Sequence, residues 1–296
     1  MIRSNILNNQ TAAEQFILGV NRMKDPDIMP WPGQANLSMY DFFVLWHHRA
    51  MMLSTPPSQR DRNAAHTGPV FLPWPHYMLI MFEFFLRDTL GDQNFRLLYW
   101  DWAGDAELPQ PFASPLWNDD ILGQFTGPDW RVRLEPNPTG SNPQVTNREL
   151  RRSIGMSGRL PQRSEVRTLI RDTVVYDLAP YDRSVGGFRN LLEGWVGVGH
   201  HNIVHVWIGG DMTVSTSPND PVFFLHHCNV DRIWAAWQQQ HPTSPYLPQQ
   251  DASDNLLFHR IDDAMHTFFE HGSDITPRMM LDTNTWYQYD TFVDLL

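Results

Sequence analysis

Apolar residues recur at helical spacing along most of the chain, and alternating strand-like patterns are few. The segment Asp41–Met52 is apolar at this spacing, and Pro75–Leu86 is apolar on almost every side, which indicates a buried helix. Trp74-Pro75 suits this helix start because proline is favoured at the first helical position. Further helical patterns cover residues 1–24, 148–150, 163–171, 188–192, a segment around His201, and 220–240. The sequence therefore predicts a mainly α fold.

Prolines are concentrated between residues 107 and 143, where seven of them mark turns. A stretch of this length without a periodic pattern predicts long loops that wrap around the core. Two central helices from each half of the chain could face each other and enclose a metal site. We expect a central antiparallel helical bundle with long wrapping loops and a few short strands, and a single domain over residues 1–296.

Composition narrows the possible partners. The formal net charge is −11, with no basic run, which argues against nucleic acid and membrane surfaces as partners. We see neither a secretory signal nor a run that could span a bilayer, so we expect a cytoplasmic protein, or one exported together with a partner. The one cysteine, Cys228, has no second cysteine with which to form an internal disulfide, and we expect it to be a small buried residue.

The histidines provide the first chemical signal. His201 and His205 are four residues apart and so share one face of a helix, and His226-His227 follow on the next predicted helix. No glutamate follows His201, which argues against a zinc protease, and there is no Glu-x-x-His pair of a di-iron bundle. Imidazole-only ligation suits copper or zinc. Four other histidines lie outside ligand spacing, and we expect them on the surface or in loops: His241, His259, His266 and His271.

Ordered motifs around these histidines carry a family resemblance. Residues 195–210 (WVGVGHHNIVHVWIGG), 217–227 (SPNDPVFFLHH) and 231–234 (DRIW) resemble the second copper-binding half of bacterial tyrosinases. Residues 61–66 (DRNAAH), 71–74 (FLPW) and 99–102 (YWDW) are similar to the first half, in the same order. The resemblance extends from about residue 40 to residue 289. It implies that the helical bundle holds a di-copper site, with two copper ions as cofactor.

The resemblance also implies the ligands. His201, His205 and His227 match the ligands of the second copper, with His226 beside them and Asp231 one helical turn further on, where a carboxylate can fix the tautomer of a ligand. The alternative is that these are core histidines. For the first copper, the resemblance implies His47 and His66, and His48 would point away, into the protein or to the surface.

The third ligand position of the first copper departs from the family. The family pattern is Phe-Leu-Pro-Trp-His-Arg, whereas residues 71–76 of this chain end in Trp74-Pro75-His76. An alignment without a gap places Pro75 at the ligand position and His76 at the arginine. A step of one residue rotates a side chain by about 100°, but a distorted first turn could still bring His76 in. We expect His76 to complete the site, and a two-histidine or partly empty first copper is the alternative.

The resemblance further implies the reaction. Tyrosinases use dioxygen to hydroxylate monophenols to catechols and to oxidise catechols to o-quinones. Glu193 and Asn202 match residues that orient a proton-accepting water, which fits a phenol whose ordinary pKa is near 10; the alternatives are a surface charge for Glu193 and a structural hydrogen-bonding role for Asn202. The resemblance places three further residues at the substrate pocket: Phe223, Ser215 and Thr216.

Several alternatives stay open at the level of sequence. The resemblance implies a small phenolic substrate and dioxygen as partners, with a helper protein that delivers copper as a further candidate. The thioether that some relatives form beside the first copper is excluded, because no cysteine lies near His66. An altered first copper would favour an oxidase of catechols or o-aminophenols that lacks hydroxylation. A copper- or dioxygen-binding protein without turnover is the third possibility.

Overall fold

The structure is a computed structural model that describes residues 2–34, 36–137, 142–267 and 274–296. Within these ranges it is rich in helix, as the hydrophobic pattern predicts. The α-helices are α1 (Gln10–Lys24), α2 (Met39–Met52), α3 (Pro73–Leu90), α4 (Trp102–Asp105), α5 (Arg163–Asp172), α6 (Phe188–Glu193), α7 (His200–Ile208) and α8 (Val222–Gln240). None of the helices described is both long and apolar enough to cross a membrane.

The described strands form two small sheets. They are β1 (Ile2–Arg3), β2 (Arg131–Glu135), β3 (Gln144–Glu149) and β4 (Gln288–Tyr289). β1 pairs in parallel with β4, so that Ile2 lies opposite Gln288 and the two ends of the chain meet. β2 and β3 pair antiparallel, with Arg131 opposite Glu149 and an irregularity between Val132 and Leu134.

Helices α2, α3 and α8 form the centre of the fold. The rings of Phe82 on α3 and Phe224 on α8 stack with centroids 3.5 Å apart, and Phe43 on α2 meets Phe82 edge-on at 5.2 Å. Further along, Trp46 on α2 contacts Trp74 at the start of α3. Because residue numbers rise along α2 while they fall along α3, these two helices run antiparallel. Large buried aromatic rings supply much of the free energy that holds such a centre together.

Local signals explain where the central helices begin and end. Ser38 and Asp41 form a capping box, in which each side chain bonds the backbone N–H of the other. Helix α3 starts with Pro73 and Pro75 in its first turn and ends at Gly91, whose φ of 65° few other residues adopt at low cost. These boundaries lie within four residues of those predicted from the hydrophobic pattern.

Two local predictions were wrong. Residues 148–150 are not helical, because Arg148 and Glu149 belong to β3 and pair with β2, where Val132 lies opposite Arg148, 16 residues earlier in the chain. The amino-terminal helix begins only at Gln10, where the Asn9 side chain accepts a hydrogen bond from the N–H of Ala12 and caps it. The segment 107–143 carries short 3-10 turns and strand β2 among its loops.

Candidate metal centre

Four histidines of the second half of the chain converge between α7 and α8. One nitrogen from each of His201, His205, His226 and His227 lies within 4.8 Å of the others. The Nε2 atom of His201 lies 3.0 Å from Nε2 of His205 and 3.3 Å from Nε2 of His227. Three imidazoles thus direct the same ring atom at one point, as the His201/His205 spacing predicts. This is the donor set that a copper ion needs.

The rings are oriented by bonds to their other nitrogens. The Nδ1 atom of His205 lies 2.6 Å from the Met212 carbonyl oxygen, and Nδ1 of His201 lies 2.9 Å from Oδ1 of Asn202. Since both oxygens are acceptors, each Nδ1 carries the proton and each Nε2 presents its lone pair. Asn202 therefore holds the tautomer of a candidate ligand, which agrees with the structural role weighed for it from the sequence.

A tight turn between α6 and α7 brings Glu193 to this site. Gly194 and Gly199 both have positive φ, and a Cβ atom on Gly194 would lie only 2.9 Å from the Cα of Gly199. The close approach places the Glu193 carbonyl oxygen 3.3 Å from Nδ1 of His201. A side chain at position 194 would force the two helices apart.

Burial keeps these imidazoles neutral. It lowers the pKa of His205 to about 4 and the pKa of His47 to about 3. Burial, followed by the neighbouring imidazoles, also lowers the pKa values of His66, His201, His226 and His227 well below the usual range. A neutral imidazole is the form that binds a metal. The groups are thus ready for metal at neutral pH.

His226, predicted only as a neighbour of the ligands, belongs to the histidine cluster itself. Its ring lies 5.1 Å from that of His201 and 4.9 Å from that of His205, centroid to centroid. Both ring nitrogens are buried without a hydrogen-bond partner. Buried imidazole nitrogens without partners are costly unless something binds them, so this cluster is suited to hold a cation.

Two histidines of the first half approach from α2 and the loop after it. The rings of His47 and His66 lie 5.3 Å apart at a right angle, and the ring of His66 lies 5.7 Å from that of His201. Nδ1 of His47 donates to the Ser215 carbonyl oxygen at 2.7 Å, while its Nε2 is buried without a partner. The two halves of the predicted centre therefore meet, with His66 between them.

His76 has other neighbours. Its Nδ1 lies 2.7 Å from Oδ1 of Asp231 and 2.9 Å from the hydroxyl oxygen of Tyr287, and its ring contacts are with Trp234 and Tyr287. Among the residues described, the only group of three or more metal-binding side chains within 4.8 Å is the four-histidine cluster of the second half. The structure does not bring His76 into such a group with His47 and His66. Asp231, expected to fix the tautomer of a second-copper ligand, instead bonds His76.

A cavity of about 450 Å³ opens above the histidines. Ser215 lines it, as the resemblance implies, whereas Thr216 is buried beside it and Phe223 packs beneath, with its ring 4.1 Å from that of His227 and 4.9 Å from that of His47. Ser215 also bonds the first-half helix, because its Oγ lies 2.8 Å from Nδ1 of the buried His48. The sequence analysis missed several lining residues, which no regular spacing marks: Met51, Asn63, Thr67, Trp195, Val206, Met212, Thr213, Val214 and Ser217.

Glu193 is buried behind the cavity wall, so the surface-charge alternative is wrong. Its Oε1 accepts hydrogen bonds from the Thr67 N–H at 2.6 Å and the Trp195 indole at 3.0 Å, and its Oε2 accepts one from Arg189 at 2.8 Å. Burial raises the pKa of this carboxyl group, and the Arg189 guanidinium opposes that rise. Glu193 is therefore a fixed carboxyl group beside the candidate ligands.

The histidines outside ligand spacing differ among themselves. His259 lies in a turn, as the loop alternative predicts, but it is fully buried rather than on the surface, with Nε2 3.0 Å from the Thr55 carbonyl oxygen. His241 bonds the Ile170 carbonyl oxygen, and His266 packs on the ring of Phe258. His271 lies outside the described residues. None of these three described histidines belongs to the four-histidine cluster.

Fold and site together define a helical metalloprotein that holds copper between two pairs of histidine-bearing segments. The family model described as "Common central domain of tyrosinase" matches residues 37–240 of this chain. The chain therefore belongs to the tyrosinase family of type 3 di-copper proteins, and its cofactor is a pair of copper ions. It is a tyrosinase-like copper oxidase, whose family acts on phenolic substrates with dioxygen.

Relatives that are similar over most of their length agree with this assignment. The chain is 38% identical over 266 residues to the tyrosinase of Streptomyces lincolnensis, covering 87% of this chain and 91% of that one. It is 32% identical to the grixazone synthase of Streptomyces griseus over 85% of this chain and 90% of the relative. A polyphenol oxidase structure from Thermothelomyces thermophila superposes with a TM-score of 0.68 at 21% identity, covering 98% and 88% of the two chains, and so shares the fold.

Proposed function

We propose that this chain hydroxylates monophenols to catechols and oxidises catechols to o-quinones. The observation that carries the proposal is one cavity lined by histidines of both halves, with the buried carboxyl group of Glu193 bonded to the lining residue Thr67. When bound, the copper pair supplies the reaction with dioxygen that no side chain can perform. The residues of the cavity bind the aromatic ring of the substrate and accept its phenolic proton.

The cavity favours a small aromatic ring. Trp195, Val206 and Val214 are exposed apolar residues at its rim, and the ring of Phe223 packs below against both His47 and His227. None of the described side chains that line the cavity is acidic or basic, apart from the imidazoles. Apolar walls with a few polar groups are typical of sites for small organic ligands.

Glu193 and Asn202 are the groups proposed to handle the phenolic proton. Asn202 lines the cavity and bonds His201, and Glu193 is one residue before the glycine that contacts the start of α7. Glu193 accepts a hydrogen bond from the N–H of Thr67, and Thr67 lines the cavity. A water held between them would take the proton of a phenol, which binds copper as phenolate.

A second candidate function is supported by the position of His76. Its contacts with Asp231 and Tyr287 leave His47 and His66 as the candidate ligands of the first copper. A weakened first copper would leave an oxidase of catechols or o-aminophenols without hydroxylation. Both functions require turnover, which separates them from a protein that only binds copper or dioxygen.

Oxygen uptake by copper-supplemented protein tests the proposal. We expect consumption with both 4-methylphenol and 4-methylcatechol, with copper per chain counted in the same sample. Uptake with 4-methylcatechol and 2-aminophenol but not with 4-methylphenol supports the second function. Two bound coppers without uptake on any of these substrates would exclude both functions.

A further inference from the structure

His76 shares a face of α3 with Glu83. The two residues are seven positions apart, almost two full helical turns, so their side chains leave the helix in nearly the same direction. Glu83 accepts a hydrogen bond from Arg3 at 2.9 Å, and the Arg3 guanidinium lies 3.3 Å from the centre of the Tyr287 ring. His76 bonds Asp231 and lies beside the same tyrosine. His76 therefore belongs to a buried polar network around Arg3.

Pro75 lies on a different face, the one that carries Phe82. Phe82 contacts Phe43 on α2 and Phe224 on α8. His47 and His227 follow those two phenylalanines by about one turn. The ring of Trp74, the residue before Pro75, lies 6.3 Å from the ring of His47, so the start of α3, where Pro75 stands, is at the level of the histidines. The position at which the family pattern has a ligand is thus directed to the metal centre, but proline has no donor atom.

We propose that His76 is a structural residue of this buried network, and that this chain offers the first copper only His47 and His66. This deepens the proposed function and rests on it for the presence of two coppers. Two imidazoles leave the first copper with fewer protein ligands than the second, and its affinity should be lower. The second site keeps its complete set of histidines.

The network gives a physical reason for His76 to stay where it is. Burial would raise the pKa of Asp231, but His76 and, after it, Arg3 lower it below the usual value. Tyr287 and Tyr289 also donate hydroxyl hydrogen bonds to this carboxylate. A buried carboxylate that loses a partner of this kind destabilises the fold. Rotating His76 toward the cavity would break the bond that Asp231 requires.

His76 nevertheless has the hydrogen-bonding pattern of a metal ligand. Its Nε2 is buried without a hydrogen-bond partner, and a histidine that bonds a carboxylate through Nδ1 is a common form of metal ligand. Among the residues described, however, His76 belongs to no group of three or more metal-binding side chains whose donor atoms all lie within 4.8 Å of one another. Substitution of His76 by a residue that keeps the Asp231 contact separates the two roles.

The test uses His76→Arg, Pro75→His and the double variant that carries both changes. Copper per chain and affinity are measured by competition with a copper(I) chelator, and folding is followed by circular dichroism and thermal unfolding. We expect His76→Arg to keep the parent's copper content and fold, because arginine can bond Asp231. We expect Pro75→His and the double variant to bind the weaker copper at least about tenfold more tightly, since a third imidazole is added.

Two outcomes would contradict the proposal. If His76→Arg folds but loses one copper, His76 is a ligand and the proposal is wrong. If His76→Arg does not fold, Pro75→His decides alone: tighter retention of the weaker copper supports the proposal, and unchanged retention overturns it. Copper affinity is measured without substrate, so an error in the proposed reaction leaves this result intact.

A second and independent observation concerns the amine and thiol side chains. The sequence contains one lysine, Lys24, and one cysteine, Cys228. The Lys24 side chain is 9% exposed, and its Nζ lies 2.5 Å from Asp41 and 5.2 Å from the centre of the Trp130 ring. Cys228 is fully buried with Sγ 3.6 Å from the Tyr289 hydroxyl, and burial raises the pKa of its thiol to about 12.

Amines and thiols are the side-chain groups that add most readily to an o-quinone. An amine nitrogen forms a C–N bond to a ring carbon, and the nitrogen lone pair reduces the quinone to a catechol. One proton from nitrogen and one from the ring carbon pass to the two oxygens, so no further oxidant is needed. A thiolate adds in the same way, and a buried neutral thiol is a poor nucleophile.

We infer that the Asp41 ion pair of its only lysine and the burial of its only cysteine make the folded enzyme inert at both residues to the o-quinone that it releases. This rests on the proposed function for the identity of the product. Of the basic side chains, 21 of the 22 are arginines, because Lys24 is the only lysine. The guanidinium group stays protonated at neutral pH and does not add to quinones as an amine does.

Peptide mass spectrometry tests this inference with quinone made from 4-methylcatechol and periodate, so that the result does not depend on the enzyme's own activity. We expect no adduct at Lys24 or Cys228 in the folded protein and adducts at both after unfolding in urea. Arg171→Lys is the matched control, because the Arg171 side chain is 68% exposed, and residue 171 should then be modified. Adducts at Lys24 or Cys228 in the folded protein, at the level seen at residue 171, would overturn the inference.

Discussion

The Nε2 atoms of His201 and His205 lie 3.0 Å apart, one turn apart on the same helix. Each of these rings is fixed from behind, His201 by Asn202 and His205 by the Met212 carbonyl oxygen. Two lone pairs that face each other at this distance without a proton between them repel, and a metal ion removes that repulsion. The pair is therefore the part of the centre that depends most on metal.

This relationship predicts the effect of His205→Ala. The variant should lose the second copper and all oxidase activity, because the remaining imidazoles no longer converge from both sides. Copper per chain and oxygen uptake with 4-methylcatechol measure this. His241→Ala is the control, since His241 bonds the Ile170 carbonyl oxygen away from the site and should keep copper. A His205→Ala protein with full activity would disprove the assignment.

Glu193→Gln tests proton handling. If Glu193 helps a water accept the phenolic proton, the variant should lower kcat/KM for 4-methylphenol at least about tenfold more than for 4-methylcatechol, because a catechol loses its proton more readily. Steady-state oxygen uptake on both substrates measures the ratio. Glu193 also bonds Arg189 and the Thr67 N–H, so an equal loss on both substrates would indicate a structural role instead.

The buried His259 predicts a pH dependence of stability. Burial lowers its pKa to about 3, whereas an unfolded histidine takes up its proton near pH 6.5. The unfolded state therefore binds more protons between these values, and this residue makes the fold less stable as the pH falls below about 6.5.

In His259→Gln that contribution is absent. The difference in unfolding free energy between pH 7 and pH 4.5 should shrink by about 2–3 kcal/mol relative to the parent. Urea unfolding of both proteins without copper measures it and keeps metal release out of the comparison. An identical pH dependence in the two proteins would show that His259 is protonated in the fold.

The stacked pair Phe82 and Phe224 predicts a large effect on stability. Their rings lie 3.5 Å apart and are nearly parallel, at the contact between α3 and α8. Phe224→Ala should destabilise the protein by about 3–5 kcal/mol, because it leaves a cavity in a packed core. Urea unfolding measures this. Phe84→Ala is the control, since Phe84 is 52% exposed on the same helix as Phe82, and a similar loss there would contradict the explanation.

The sequence by itself determined the helices and the second half of the centre. Helix positions follow from the spacing of apolar residues over a few turns, and α5 and α6 lie within one residue of their predicted ends. His201 and His205 are related by one helical turn, so their spacing alone placed them together. Such features depend on contacts between near neighbours in the chain, which a sequence displays directly.

Only the tertiary structure decided the orientation of His76. Its partners, Asp231 and Tyr287, lie 155 and 211 residues away, and no local pattern indicates which of two faces of α3 meets them. The same holds for His259, which is buried against Thr55 at a separation of 204 residues. These positions are determined by which segments pack together, because a buried polar side chain requires a partner that only the folded chain brings near.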